Sequence, residues 1–474
     1  MQTKELRRSR LSPVSWACAL SLAGCAAPAD LPPHAVTPPA SWQSARPDTN
    51  ASAIDARWWS HLGSTELDAL IAQAQARNQD LAMALARVDS ARAQARIAGA
   101  QRLPELTGQI DASRQGRMGG NAAVDGNAHS VGFAARYELD LWGRQGALHR
   151  EARQGLRASV FERDAVQLSV TAEVASSWLQ LLGLRERVAI AGQSLDNAQR
   201  VLRLVESRGR AGAAAPLELA QQRGLVATRE RELARLQQQA RHAETALALL
   251  LGLPAPEPAA GQVRLEALRI PAVSAGLPSE LLVRRPDLAQ AEARLAAADA
   301  NVQAARAALL PRVTLSASVG LQGSAPGGLL DNPIYSLAAG LAAPIFDGGR
   351  LAGERDLAEA RREELLGAYR AAIIGAFADA ETALQAITGI DAQASAQADE
   401  LLQARRAAQL SELRYRAGAE TLLVLLDAQR VLYAAQDLDV QLRQARLQAR
   451  VALYRALGGG WRGDNSNVLT QGER

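Results

Sequence analysis

Four short segments of the chain alternate apolar and polar residues with a period of two, which is typical of a β-strand with one apolar and one polar face. The alternation predicts strands at 105–117, 130–141, 312–322 and 334–345. Each has about the ten residues with which a tilted strand crosses a bilayer, although a soluble antiparallel sheet would alternate in the same way. The apolar faces carry Leu106, Gly108, Ile110 and Ala112; Val131, Phe133, Ala135, Tyr137 and Leu139; Val313, Leu315, Ala317, Val319 and Leu321; and Tyr335, Leu337, Ala339 and Leu341.

Long segments with apolar residues at every third or fourth position follow each strand pair. This spacing predicts helices that pack as coiled coils. One helical hairpin is predicted at 144–251, with its turn near Gly209 to Pro216, and a second at 351–457, with its turn at Ala417-Gly418. Shorter helices are predicted before each strand pair, from about Ser64 and over 286–309. A helix of about 65 residues is roughly 100 Å long, far longer than a globular core needs.

The chain contains this plan twice. Leu103-Pro104 and Leu310-Pro311 mark the same point in the two copies, and both hairpin turns carry Arg-Ala-Gly, at 210–212 and 416–418. Internal duplication therefore governs the predicted architecture. The predicted order is a signal peptide 1–24, a tether and equatorial segment 25–63, a first repeat 64–253, an equatorial connection 254–285, a second repeat 286–457 and a tail 458–474.

The N-terminus has the features of a bacterial export signal, because a basic start precedes an apolar core and small residues. Leu22-Ala23-Gly24-Cys25 resembles the lipobox of bacterial lipoproteins, which predicts cleavage before Cys25 and lipid attachment to it. The net charge is +4, and residues 1–24 contribute +3 of it. The mature chain is thus nearly neutral, so nucleic acid is not expected as a partner.

The rest of the sequence offers no chemistry typical of an enzyme. The five histidines show no metal-ligand spacing, and neither a nucleophile elbow nor a phosphate-binding loop is present. We therefore expect no catalytic residue, cofactor or metal. Composition agrees with long helices, at 48% hydrophobic but only 4% aromatic residues. No stretch after the signal is apolar enough for a transmembrane helix, so a membrane-spanning form would have to be a barrel.

The predicted strands do not suffice for a barrel within one chain. Unpaired backbone groups at the edges of a four-stranded sheet would cost several kcal/mol each in lipid. Bacterial barrels begin at about eight strands, so identical chains would have to associate. Two copies would provide eight strands and three would provide twelve.

Several motifs, in the same order along nearly the whole mature chain, resemble the TolC-like outer-membrane factor family, and specifically its NodT-type efflux lipoprotein branch. The resemblance implies a homotrimer whose twelve-stranded outer-membrane barrel continues into a twelve-helix periplasmic tunnel. It also implies a periplasmic adaptor and an inner-membrane efflux pump as partners. The motifs are Trp58-Trp59, Asn78-Gln79-Asp80-Leu81, Ala86-Arg87-Val88, Tyr137-Glu138-Leu139-Asp140-Leu141-Trp142-Gly143-Arg144, Arg284-Arg285-Pro286-Asp287-Leu288, Phe346-Asp347-Gly348-Gly349-Arg350, Tyr415-Arg416-Ala417-Gly418 and Leu425-Leu426-Asp427-Ala428-Gln429.

The resemblance also assigns a gate at the tip of the second hairpin. Asp427 resembles the gate acid of the family, Leu423 its apolar constriction, and Arg414 and Tyr415 the interhelical partners of the acid. In the first hairpin, Gln221 takes the place of Asp427, so the two hairpins are expected to play unequal gating roles. The implied function is passive conduction of drugs or other small molecules out of the cell. A type I protein-secretion duct and a lipid-anchored coiled-coil scaffold are the alternatives.

Overall fold

The structure is a computed structural model, and it describes residues 36–44, 54–121, 126–212, 215–256 and 263–463. The predicted signal peptide, Cys25 and much of the tether lie outside these ranges. The helices and strands belong to the unit Pro38–Arg474. The α-helices are α1 Thr65–Arg77, α2 Gln79–Ala100, α3 Arg144–Arg210, α4 Pro216–Leu250, α5 Leu281–Arg284, α6 Pro286–Ala308, α7 Arg350–Arg416 and α8 Leu422–Ala456. The strands are β1 Glu105–Gln115, β2 Gly126–Leu139, β3 Arg312–Gly323 and β4 Pro333–Ala342.

The four strands form one antiparallel sheet in the order β1-β2-β3-β4. The register sets Ile110 opposite Val131, Val131 opposite Leu321, and Val319 opposite Tyr335. Residues that lie opposite each other share a face of the sheet, so the predicted apolar residues of all four strands form one continuous surface. β1 and β4 are the edges, and within the described residues each has a strand neighbour on one side only.

Two strand ends differ from the prediction by three residues or more, and the others agree within two. β2 begins at Gly126 rather than at 130, because residues 126–129 pair with the end of β1. β4 ends at Ala342 rather than at 345. Pro344 follows two residues later, and proline has no N–H to donate to a neighbouring strand.

The helix predicted from Ser64 to the first strand is interrupted at Asn78. The backbone of Asn78 is extended, with ψ of 130°, and its Oδ1 accepts a hydrogen bond of 3.1 Å from the N–H of Leu81. Asn78 therefore ends α1 and caps α2. Its Nδ2 also donates to the carbonyl oxygen of Leu250 at 2.9 Å, which joins this break to the end of α4.

The long helices pack as two rows of four. Near the sheet the row runs α2-α3-α6-α7, and in the far half it runs α4-α3-α8-α7. The two hairpins match in size, because α3 and α7 each have 67 residues and α4 and α8 each have 35. Among the described residues, no helix combines the length and the apolar character needed to cross a bilayer.

The main apolar core lies along α3, where the predicted coiled-coil stripe is buried. Trp178, Leu181 and Leu184 belong to this core. Trp58, part of the first motif of the family resemblance, lies in the same core and stacks on Tyr454 with the ring centroids 4.9 Å apart. The segment before α1 is thereby fixed to the end of α8.

Residues 458–461 lie just after α8 and pack tightly against the rest of the fold, although they belong to the predicted tail at 458–474. Gly458, Gly459 and Gly460 all have positive φ, and a Cβ on Gly460 would lie 2.4 Å from the carbonyl carbon of Asp55. Trp461 then donates its indole N–H to Asp164 at 2.9 Å. The ordered fold therefore continues to Trp461, because glycine alone permits this close approach of backbones.

Candidate functional site at the hairpin tips

The second hairpin turns through a short loop between α7 and α8. Gly418 has φ of +74°, the left-handed conformation that commonly follows a helix end. The N–H of Ala419 donates to the carbonyl oxygen of Arg414 at 2.9 Å, and this bond closes the last turn of α7. The Arg-Ala-Gly signature in the sequence therefore has a direct physical role as a helix stop.

One side of this tip is a small apolar cluster that joins the two hairpins. Tyr415, Leu422 and Leu425 are buried together with Val205 of α3. The guanidinium of Arg208 lies over the Tyr415 ring, 5.4 Å from its centroid. The hydroxyl of Tyr415 is buried and has no hydrogen-bond partner among the described residues. Tyr415 thus acts within one chain through its ring, as an interhelical packing residue.

The opposite side of the tip is exposed and carries the other predicted gate residues. Leu423 is 66% exposed, and Asp427 lies one helical turn further along the same face of α8. Asp427 forms an ion pair of 2.7 Å with Arg430, three residues later. Arg414 lies 3.6 Å from Glu420 instead. Within the chain, the structure brings Leu423 and Asp427 onto one face but does not bond Arg414 to Asp427.

The tip of the first hairpin has a different set of side chains. Leu217 is as exposed as Leu423, at 66%, and occupies the equivalent position. Gln221 stands in place of Asp427, and Arg223 pairs with Glu206 of α3 at 3.3 Å. Gly209 stands at the position equivalent to Tyr415, so the first tip lacks the aromatic ring of the apolar cluster.

Two tip residues have roles that were not assigned from the sequence. Arg430 neutralises Asp427, and the only local signal is their separation of three residues, which places them on one face of a helix. Arg208 covers the Tyr415 ring from another helix, and no sequence pattern links residues so far apart. Contacts between helices distant in sequence are set by the fold as a whole.

The apolar face of the sheet is the second functional surface. Ile110 is 83% exposed, Tyr335 81% and Leu337 78%, within one chain. An apolar area of this extent rarely faces water in a monomeric soluble protein. In the described part of the chain, His, Cys, Asp and Glu side chains form no group with metal-binding geometry.

A model of the outer membrane efflux protein family matches the chain twice, at residues 70–253 and 277–459, in agreement with two repeats. The chain belongs to this family. It is 49% identical over 439 residues to the pyoverdine export outer membrane protein OpmQ of Pseudomonas aeruginosa, covering 91% of this chain and 93% of OpmQ. It is 35% identical to the outer membrane protein OprJ of the same species, over 92% of each chain.

A solved structure of CusC has the same fold. It superposes with a TM-score of 0.79 at 31% identity, covering 87% of this chain and 99% of CusC. These matches confirm the predicted TolC-like fold of mainly helical chains with a four-stranded sheet and two repeats. The protein is therefore a non-enzymatic outer-membrane channel of a tripartite efflux system, with a periplasmic helical portion.

Proposed function

We propose that three copies of this chain close into one conduit, with a twelve-stranded barrel in the outer membrane above a twelve-helix periplasmic tunnel. The observation that carries the proposal is that the sheet and both helix rows are open at their two ends. The sheet has four strands and each row has four helices, and channels of this family form trimers. Pairing β4 of one copy with β1 of the next would satisfy the edge groups that lipid cannot.

The apolar face supports the orientation of the sheet. In the barrel, Ile110, Phe133 and Leu337 would face the hydrocarbon and no longer meet water. The opposite face carries Ser318 and Ser336, whose hydroxyls lie 2.8 Å apart across β3 and β4. That face would line a hydrated lumen, in keeping with the polar interiors of porin-type barrels.

The gate would be formed by the tips of the second hairpins. Near the axis of a trimer, three copies of Leu423 would narrow the aperture and three copies of Asp427 would surround it. Like charges at such short separation repel unless they are paired. Arg430 supplies that pairing in each chain, while Arg414 is free to exchange Glu420 for an acid of a neighbouring copy. The ring of Tyr415 would support the gate from behind.

Cys25 would carry the lipid anchor in the inner leaflet of the outer membrane. Trp42 is buried against the second repeat, and its indole N–H donates to the carbonyl of Gly276 at 3.0 Å. Trp42 lies 17 positions after Cys25 in the sequence, a separation that can span about 60 Å when the chain is extended. The anchor is therefore long enough to connect the equatorial part of the protein with a membrane surface.

The expected partners are a periplasmic adaptor and an inner-membrane pump that supplies the energy. The similarity to OpmQ supports pyoverdine, or a compound of that class, as the exported substrate. Export by a type I protein-secretion system remains the second candidate, because the same conduit would serve both. Comparing pyoverdine-type export and protein secretion in a deletion strain would separate the two.

Single-channel recording tests the conduit and its gate together. Purified wild-type protein should insert into planar bilayers as a trimer with low conductance, and Asp427→Ala should raise the conductance of the closed state several-fold. Gln221→Ala is the matched control in the first hairpin and should conduct like the wild type. A protein that stayed monomeric in detergent and never conducted would refute the conduit. An unchanged closed state in Asp427→Ala would refute only the gate.

A further inference from the structure

A cavity of about 260 Å³ lies between α3, α4 and α8, above the tips of the hairpins. Four arginines line it, namely Arg187 from α3, Arg229 and Arg231 from α4, and Arg430 from α8. Only two acids, Glu232 and Asp437, line it as well. Since a water molecule occupies about 30 Å³, the cavity has room for an oxyanion and several waters.

The acids around the cavity are already paired. Arg187 holds Asp437 with two hydrogen bonds of 2.6 and 3.0 Å, and Glu232 is bound by Arg235 at 2.5 Å. Arg430 is paired with Asp427, which lies outside the cavity.

Two positive charges therefore remain uncompensated. Within the described residues, neither Arg229 nor Arg231 forms an ion pair. Arg229 instead lies over the ring of Tyr433, 5.3 Å from the centroid.

Uncharged donors complete the lining. Ser194 is 2% exposed, and its hydroxyl lies near that of Tyr433. Burial raises the pKa of Tyr433 and Ser194 partly lowers it, but the Ser194 hydroxyl forms no hydrogen bond of good geometry among the described residues. The hydroxyl of Tyr433 lies in the same cavity and accepts a hydrogen bond from Asn197. A buried hydroxyl without a partner costs free energy, and a bound anion would offer it an acceptor. The lining thus combines guanidinium and hydroxyl donors, the groups that bind carboxylates and phosphates.

The part of the lining that α8 provides continues the helix face that carries the proposed gate residue Asp427. Asp427, Arg430, Ala434 and Asp437 follow one another at helical steps of three and four, and the last three line the cavity. Residues at these steps share a face of a helix. In the three-chain conduit, three such cavities would surround the lumen just above the ring of Asp427.

We propose that this arginine cavity binds anionic groups of carboxylate or phosphate type, with Arg229 and Arg231 as the principal ligands. The placement of this cavity on the lumen wall rests on the proposed function. With that placement, anionic solutes are the substrate class that the lumen favours. Arg430 connects the site to the gate, because it lines the cavity and holds Asp427. An anion that recruits Arg430 would weaken its pairing with Asp427.

Isothermal titration of detergent-purified protein with sodium phosphate, against sodium chloride at equal ionic strength, tests the site directly. The wild type should bind phosphate, and the double variant Arg229→Gln, Arg231→Gln should bind at least about tenfold more weakly, because it lacks two charged hydrogen-bond donors. Arg241→Gln removes one positive charge, as Arg231→Gln alone does, from an exposed position of α4 outside the cavity, and it should bind like the wild type. If the double variant does not fold, Arg231→Gln alone, also at an exposed position, still tests the site.

Absence of phosphate binding in the wild type, or equal binding in all variants, would overturn the site. Reversal potentials across a potassium chloride gradient then test its place in the lumen. The double variant should become more cation-selective than the wild type and than Arg241→Gln. An unchanged reversal potential would overturn the lumen placement. Failure of every form to conduct would count against the conduit, while the titration in detergent would still decide whether the cavity binds anions.

Discussion

The two hairpins have helices of equal length but bury them to different degrees. The shorter helices α4 and α8 have 35 residues each, of which 6 are buried in α4 and 14 in α8. The cause is position, because α8 packs along both α3 and α7, whereas α4 packs along α3 and approaches α8 through side chains such as that of Arg229. In the first hairpin the shorter helix α4 therefore forms an edge of the row, whereas in the second hairpin the longer helix α7 is the edge and α8 lies inside. A duplicated sequence has become two hairpins that leave different helices, α4 and α7, at the open ends of the row.

One ion pair occurs in both hairpins with its charges reversed. In the first, Arg185 of α3 pairs with Glu244 of α4 at 3.0 Å. In the second, Asp391 and Arg450 occupy the equivalent positions of α7 and α8 and lie 2.7 Å apart. The side chain of Arg450 is only 9% exposed, whereas those of Arg185 and Glu244 are about one-third exposed. The link between the helices has been kept while its polarity and its burial have changed.

The largest expected difference in stability lies between core substitutions in the two long helices, α3 and α7. Trp178 of α3 and Leu384 of α7 are equivalent positions, 1% and 8% exposed. Trp178→Ala should destabilise the protein by about 3–5 kcal/mol through the cavity it leaves, and Leu384→Ala by about 2 kcal/mol. The thermal midpoint measured by circular dichroism at one scan rate compares them. Trp178→Phe should cost much less, because the Trp178 indole N–H has no hydrogen-bond partner to lose. Equal losses at the two positions would contradict the ranking.

The reversed ion pair gives the next largest effect. Arg450→Ala should cost about 3 kcal/mol, the lower end for breaking a buried pair, because Arg446 still contacts Asp391 at 2.8 Å. Glu244→Ala should cost less than about 1 kcal/mol, as for exposed pairs. The double variant Asp391→Arg, Arg450→Asp, which copies the polarity of the first hairpin, should recover part of the loss. Denaturant midpoints provide the measurement, and a Glu244→Ala variant as unstable as Arg450→Ala would disprove the role of burial.

Low pH should destabilise the second hairpin, because its buried ion pair contains the carboxyl group of Asp391. Burial alone raises the pKa of Asp391, but hydrogen bonds from Arg450 and Arg446 outweigh it and hold the pKa below its usual value of 3.8. A carboxyl whose pKa is lowered by folding stabilises the fold above its unfolded pKa and loses that contribution as the pH falls through the folded pKa. The thermal midpoint of the wild type should therefore fall between about pH 5 and pH 3. Asp391→Asn should remove part of this fall, and an identical pH profile in the variant would exclude Asp391 as a cause.

The long elements could be predicted from the sequence because their signals are local. The predicted helix from Arg144 to Arg210 agrees with α3, since three- and four-residue apolar steps continue to the Arg-Ala-Gly stop. The strands follow from alternation, and the register then places their apolar residues on one face. The break at Asn78 was missed because asparagine is tolerated inside helices, and its capping role depends on the distant carbonyl of Leu250.

The candidate site could be predicted only in part, for a physical reason. That Leu423 and Asp427 share one face of α8 follows from helix geometry alone, whereas the exposure of this face does not. The pairing of Arg187 with Asp437 joins residues of different hairpins, and no local pattern encodes it. The order of the helix rows, which decides that α8 is enclosed and α4 is not, likewise depends on packing across the whole chain.

The smallest expected effect separates ring from hydroxyl at the second tip. Tyr415→Ala should loosen the tip, because the ring fills the cluster with Leu422 and Leu425. Tyr415→Phe keeps the ring and removes a buried hydroxyl that has no partner, so stability should be unchanged or higher by up to about 1 kcal/mol. Thermal midpoints and protease cleavage near Gly418 measure both variants, and Gly209→Ala is the control at the equivalent position of the first tip.

The outcome also bears on the gate. The Tyr415 hydroxyl is enclosed by its own chain, so a neighbouring copy could reach it only after the tip rearranges. If Tyr415→Phe lowers the thermal midpoint of the assembled protein, the hydroxyl has a partner in an arrangement of the tips other than this one. The closed gate would then depend on a bond between copies. If the variant is neutral, Tyr415 would support the proposed gate by packing alone, and its electrostatic part would be left to Asp427 and Arg430.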